Sequence, residues 1–273
     1  MKPLLLAYVP DLYFSMRIES AAGNLGYEIE IIERGDQEAG REENPAEALL
    51  GSQGDLIQMV SARLPGLIIF DLSAQNIPWA QWIARLKSAP ATRRIPIIAF
   101  GQHEDLPTLE KAREAGADAV FSRNIFANRM PHLLQKHIRI PDTAAIEGAC
   151  AQPLSALALE GIELFNRGEY FEAHEALEHA WNEDESAAKE LYRAILQVAV
   201  AYLQIERGNY RGAVKMFLRV RQWFAPLPDV CRGVDVAQLR ADAGEVEGVL
   251  IELGEDRVGA FDRELFRPVK LTA

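Results

Sequence analysis

Cysteine is scarce in this chain: Cys150 and Cys231 are the two in 273 residues. Neither sits in a CxxC pair and two thiols cannot build a disulfide framework, so the expectation is a reduced, cytoplasmic protein. Long apolar runs are missing too. The longest are stretches such as Leu4 to Val9 and Leu67 to Phe70, far short of the roughly 20 residues that a membrane span needs. The N-terminal run is closed by Pro10-Asp11 and is too short for the apolar region of a signal peptide. Positive charge is in deficit, with 29 Lys and Arg against 40 Asp and Glu and a net charge of -11. That excludes a nucleic-acid binder working by bulk electrostatics. No Ser-His or Cys-His arrangement and no phosphate-cradling glycine loop is visible, so the reading leans away from an enzyme.

What remains is a globular composition, 49% hydrophobic and 25% charged, in a length that fits one large or two ordinary domains. The charge is uneven. Residues 1–140 hold 15 Lys and Arg and 17 Asp and Glu, a net of -2; residues 141–273 hold 14 and 23, a net of -9. The two halves therefore differ in surface chemistry, a first pointer to two domains.

The first half alternates short apolar runs with helical spacings. Strands are expected at Leu4 to Val9, Tyr27 to Glu33, Gly66 to Asp71, Ile95 to Gly101 and Ala119 to Ser122. Helices are expected at Ser15 to Leu25, Ala46 to Leu64, Trp79 to Lys87, Pro107 to Ala115 and Arg129 to His137, with a long acidic loop over residues 34–46. Such alternation implies an α/β domain over residues 1–138, a parallel sheet covered on both faces. Residues 139–153 carry two prolines and no apolar periodicity, and are read as a linker. Residues 154–273 read as an all-helical bundle. Its helices are expected at Leu154 to Arg167, Tyr170 to Asn182, Ser186 to Arg207, Asn209 to Phe224 and Val236 to Leu253.

Chemistry in an open parallel sheet collects at the carboxyl ends of its strands. Asp11 follows the first strand there and Asp71 ends the third. With Pro96-Ile-Ile near the end of the fourth strand and Gly116-Ala-Asp before the fifth, this half resembles the receiver domain of bacterial response regulators. The resemblance implies a flavodoxin-like five-stranded sheet and a phospho-acceptor aspartate at Asp71. It also implies an acidic pair holding Mg²⁺ after strand one, a hydroxyl after strand four and a lysine after strand five. The chain departs from that pattern. Asp11 stands alone between Pro10 and Leu12, the hydroxyl position is Gly101, and the lysine position is Arg123, followed by Asn124. Arg keeps the charge without the compact geometry of Lys, and Mg²⁺ would be held weakly at Asp11 and Asp71. The expectation is a pseudo-receiver without regulated aspartyl phosphorylation and without a cofactor. The competing readings for Asp71 are a genuine phospho-acceptor, or a residue that pairs with Arg123 or caps a turn.

In the helical half, His174, Leu177, Glu178 and Trp181 fall at i, i+3, i+4 and i+7 and share one face, which Phe171 extends. Ala194, Gln197, Ala201 and Gln204 recur on one face of the next helix. The small alanines permit close approach, so the two amides are expected to meet His174 and Glu178 in a buried hydrogen-bonded network. The alternative is a metal or ligand site built on His174, Glu175 and Glu178. His174-Glu175-x-x-Glu178 misses the zincin spacing and Glu175-x-x-Glu178-His179 misses its inverse, so no metal ligand set is assigned. The order Glu163, Phe165-Asn166, Gly168-Glu169-Tyr170-Phe171-Glu172-Ala173-His174-Glu175, Glu178, Trp181, Gln197, Gly208-Asn209 and Gly212-Ala213 resembles the bacterial domain of unknown function 309. That family's pattern often carries His where this chain has Gln204. The resemblance marks Glu172, His174, Glu175, Glu178, Trp181, Gln197 and Gln204 as binding candidates without supplying an activity.

Residues 160–185 hold nine acids and one Arg, while Arg211, Lys215, Arg219 and Arg221 form a basic stripe expected to face, in part, the acidic helices. Trp79 and Trp82 are read as core or interface anchors. The functional expectation is a cytoplasmic signalling or scaffold protein. It would engage a protein partner or a second copy, through residues 119–137 and the face around His174, Glu178 and Trp181. No membrane or nucleic-acid contact is expected.

Overall fold

In the computed structural model, which describes residues 2–33 and 52–272, strands β1 (Leu4–Tyr8), β3 (Leu67–Asp71) and β4 (Ile97–Gly101) are buried along almost their whole length. Continuous apolar runs of this kind need cover on both faces, which a parallel sheet between helices provides. β2 (Glu28–Ile32) and β5 (Ala119–Ser122) are less buried and form the edges. The order is β2-β1-β3-β4-β5, every pair parallel. This is the flavodoxin-like winding, whose order reverses between β1 and β3 and opens a crevice at their carboxyl ends.

The helices are α1 (Leu12–Asn24), α2 (Ser52–Arg63), α3 (Trp79–Ser88), α4 (Leu106–Glu114) and α5 (Arg123–His137). Both α1 and α5 begin earlier than their apolar spacing suggests, because a side chain caps each. The Asp11 carboxylate accepts from the Tyr13 and Phe14 amides at 3.0 and 3.2 Å, and the Ser122 hydroxyl accepts from the Ile125 amide at 3.3 Å. Pro131 lies inside α5 without ending it. Phe14, Phe100 and Phe126 stack between α1, β4 and α5, with ring centroids 4.9 and 4.3 Å apart. The acidic loop of 34–46 and the first turns of the helix expected from Ala46 lie outside the described residues.

The chain divides into two units, Met1–Ile140 and Pro141–Ala273. The second is mostly helical: α6 (Thr143–Cys150), α7 (Ala156–Asn166), α8 (Tyr170–Glu183), α9 (Glu190–Glu206), α10 (Tyr210–Phe224) and α11 (Val236–Leu253). Chain neighbours α7, α8, α9 and α10 pack on one another in turn, as their short connections require. α7 and α9 stop in the same way, at Gly168 and Gly208, whose φ of +80 and +69° only glycine adopts without strain. α7 and α8 approach so closely that a Cβ on Gly161 would lie 2.6 Å from Leu177 Cγ.

Three features correct the sequence reading. The segment taken as linker contains α6, capped by Asp142 and burying Ile146 and Cys150; a helix of eight residues is too short to show a period. A small antiparallel hairpin, β6 (Val230–Cys231) and β7 (Val234–Asp235), interrupts the helices. Its two-residue turn places Arg232 and Gly233 at φ +54 and +77°, the positive values that such turns require. Finally, Cys150 and Cys231 form a disulfide across 81 residues of sequence, so neither is a free thiol. Their pairing depends on tertiary contact between α6 and the hairpin, which no spacing encodes.

Candidate functional site

The carboxyl end of the sheet gathers Asp11, Asp71, Ser73 and Arg123. β3 delivers Asp71 to its last position, where the side chain is fully buried. One carboxylate oxygen accepts from the Ser73 amide and hydroxyl at 3.0 and 2.7 Å. The other accepts from Arg123 Nη2 at 2.7 Å. Both competing structural roles for Asp71, capping a turn and pairing with Arg123, therefore occur together. The same Nη2 donates to the Ser73 hydroxyl at 2.7 Å, and Nη1 faces Asp11 at 3.4 Å. The other Asp11 oxygen is held by the cap of α1.

Arg123 opens α5, and its guanidinium lies 4.9 Å from the ring centre of Phe14. A planar cation that spans two carboxylates, a hydroxyl and an aromatic face is well fixed. Gly101 ends β4 beside this cluster. A Cβ there would meet Leu109 and Leu72 at 3.3 Å, so the position is filled by apolar neighbours. Ser73 escaped the sequence reading. The signal for it was the Asp-x-Ser turn of residues 71–73.

In the second unit the expected buried network does not form. Glu178 and Glu175 are exposed and His174 is half-buried. The stripe at i, i+3, i+4, i+7 splits because the buried side of α8 runs through Tyr170, Ala173, Leu177 and Ala180. Glu172 is exposed as well. Gln204 turns to the corner between α9 and α10, where its Oε1 accepts from Asn209 Nδ2 at 2.6 Å. Gln197 is 5% exposed, and its Oε1 has no hydrogen-bond partner among the described residues.

Trp181 is half-buried and packs on a residue the sequence reading missed. The Arg193 guanidinium is sandwiched between the Trp181 and Trp223 rings, 3.9 and 4.2 Å from their centres, and pairs with Glu190 at 3.1 Å. This stack ties α8, α9 and α10 together. Two residues of the basic stripe find partners toward the end of the chain. Arg211 pairs with Glu255 at 3.1 Å and Arg221 with Glu247 at 2.7 Å, so these two engage α11 and the turn after it. Among the described residues, no three His, Cys, Asp or Glu side chains gather closely enough to hold a metal ion, and no helix is long and apolar enough to cross a membrane.

Of the two tryptophans after β3, Trp82 is core, 4% exposed and edge-on to Tyr8. Trp79 is half-buried, with the Lys111 ammonium 5.7 Å from its ring centre. His137 packs edge-on against Phe121, and burial lowers its pKa.

Comparison with known proteins matches these two units separately. Residues 158–216 match the family model of the domain of unknown function 309. That segment runs from α7 into α10 and includes the α8 candidates. An uncharacterized protein of Aquifex aeolicus is 31% identical over 88 residues, 31% of this chain and 26% of the relative. The chain thus spans about a quarter of the length of that curated relative. Among solved structures, a chemotaxis response regulator of Vibrio cholerae is 14% identical, covering 50% of this chain and 98% of its own, with a TM-score of 0.38. The receiver domain of a Pseudomonas aeruginosa sensor histidine kinase, solved with magnesium in its active-site cleft, is 15% identical over 50% of this chain and 98% of its own, with a TM-score of 0.39. The domain 309 segment thus lies within the helical unit.

Proposed function

We propose that the chain is a signalling or scaffold protein. Its receiver-like unit holds one fixed state without aspartyl phosphorylation, and its helical unit engages a protein partner or a second copy of itself. The observation that supports this reading is the position of Arg123. Its guanidinium lies between Asp71 and Asp11, 2.7 and 3.4 Å from their oxygens. A divalent ion in a receiver needs such carboxylates as its hard ligands, and here both are engaged by an internal cation or by a cap. These residues do not fit Mg²⁺. Gly101 brings no hydroxyl to the site.

Docking is supported by where apolar side chains remain exposed. Leu12, Tyr13 and Met16 at the start of α1 are 67, 63 and 61% exposed. Ile125, near the start of α5, is also exposed, and α1 and α5 pack side by side. Apolar side chains grouped around the edge of a charged cluster are characteristic of contact surfaces. In the helical unit Phe171 is exposed at the head of the acidic face of α8. The enzyme reading around His174, Glu175 and Glu178 gains nothing from the geometry: both carboxylates are exposed, and among the described residues no metal-holding group of three forms around them.

The test has two arms. Incubation of the full chain with a small phosphodonor and Mg²⁺ is expected to leave its intact mass unchanged. A phosphoryl increment that disappears in Asp71→Ala would make it a working receiver. In the second arm, Leu12→Asp with Met16→Asp is expected to reduce binding to the partner, or self-association measured by sedimentation. Unchanged binding and unchanged sedimentation would remove α1 from the docking surface.

A further inference from the structure

We propose that Cys150 and Cys231 are a thiol–disulfide switch that decides whether α6 is clasped to the helical unit. The bridge joins the end of α6 to the hairpin strand β6. The segment matched by the domain 309 family is 158–216, so both cysteines flank it and the bridge closes a loop around it. The core of that loop does not need the bridge. Leu177, Ile195, Tyr202 and Phe217 are buried among α7 to α10.

The hairpin is also held independently. Arg232 pairs with Asp184 at 2.9 Å and donates to the Ser186 hydroxyl at 2.7 Å and to the Tyr192 hydroxyl. The C-terminal segment adds backbone bonds from Asp235 to Lys270 and from Thr272 to Gly233. α6 has far less. It buries Ile146 and Cys150, makes one backbone bond from Arg232 N to Cys150 O at 2.7 Å, and rests on the 3₁₀ turn Ala187–Lys189 and on β6. A single helix of that length does not persist by itself in water. The disulfide is therefore the main restraint on α6, and its loss would free α6 without dissolving the bundle.

The chemistry is exchange with a dithiol reductant. Cys150, 8% exposed against 0% for Cys231, is the less deeply buried residue of the pair, and the attack is assigned to its sulfur. A reductant thiolate bonds to Cys150 Sγ, the disulfide breaks, and Cys231 leaves as a thiolate that takes up a proton. The second reductant thiol then closes the reductant's own disulfide and releases Cys150, which is protonated in turn. Two electrons and two protons pass to the protein. The consequence is a change in tether. With α6 clasped, the connection between α5's anchored end, where Arg139 N bonds to Gly66 O, and the second unit is residues 140–142. With α6 released, the connection extends over 140–155, to the start of α7.

The experiment is alkylation with intact-mass analysis, followed by hydrogen exchange, on the full chain before and after treatment with dithiothreitol. The untreated protein is expected to take up no alkylating agent and the reduced protein two equivalents. On reduction, amides of residues 143–150 should exchange about ten-fold faster or more, while those of α9 keep their protection. Cys231→Ser, without reductant, should give the same exchange pattern. Three results would overturn the proposal: two reactive thiols in the untreated protein, unchanged protection of α6 after reduction, or loss of protection throughout α9. The last would make the bridge a staple of the whole unit. Reduction of the natural chain decides the matter even if the variant does not fold.

Discussion

The carboxyl edge of the sheet and the outer face of α8 are both rich in acids, yet they are opposite in physical state. At the sheet edge Asp71 is fully buried, and both of its oxygens are satisfied by Ser73 and Arg123. On α8, Glu172, Glu175 and Glu178 stand in solvent. A buried carboxylate must be paired, and its pairing fixes the groups around it. An exposed one is stabilised by water and leaves its surroundings free. The first cluster is thus fixed by its own pairing, while the second is a solvated charged surface.

The comparison is broken most directly by removing Asp71. Asp71→Ala leaves Arg123 without its closer carboxylate partner, and a loss of roughly 2–4 kcal/mol is expected in urea unfolding. That is below the value for a fully dry pair, because Arg123 reaches solvent. A loss under about 0.5 kcal/mol would mean that the sheet edge is no more locked than α8.

A second difference lies in the aromatic core of the helical unit. Burial raises the Tyr170 hydroxyl pKa from 10.0 to about 12, and burial raises that of Tyr202 further. The folded state therefore keeps protons that the unfolded chain gives up. Stability is intact below pH 10 and falls as pH rises from about 10 through about 12. For Tyr170 the shift corresponds to no more than about 2–3 kcal/mol, reduced by solvent screening at its partly exposed hydroxyl. Hydrogen exchange should show α9 losing protection over this window before β3 does; the reverse order would assign the alkaline weakness to the sheet.

Packing supplies a smaller effect. Gly161→Ala forces a methyl to within 2.6 Å of Leu177 Cγ, and thermal unfolding should register a cost of about 1–2 kcal/mol as α7 shifts from α8. A neutral result would show that this helix pair has room to give. The smallest effect sharpens the comparison from the other side. Glu178→Ala should change stability by less than about 0.5 kcal/mol while altering the affinity of any partner that uses the acidic face, read by titration calorimetry. A loss of several kcal/mol would restore the buried network that the sequence suggested.

Much of the fold was legible in the chain. The apolar runs ending at Asp71 and Gly101 and the alternation at Glu28 to Ile32 imply the parallel sheet, and the stops at Gly168 and Gly208 mark the corners of the bundle. The pairing of Asp71 with Arg123 was legible as one option, because both residues fall at carboxyl or amino ends that a parallel winding brings together. His174 and Glu178 were misjudged for a physical reason. Helical spacing shows that residues share a face, but not which face turns inward. The neighbouring stripe of Tyr170, Ala173, Leu177 and Ala180 packs more closely, and it took the buried side.

By itself, then, the sequence determined the alternation of strands and helices in the first half and the helical character of the second, which depend on residue type and local period; Gly101 and Arg123 stood out as departures only against the receiver resemblance. Tertiary structure decided the rest: which acids are dry, the Arg193 sandwich between Trp181 and Trp223, and the bridge between Cys150 and Cys231. Each joins groups distant in the chain. Burial and contact between such groups are set by how whole elements pack, and no local pattern of residues specifies that.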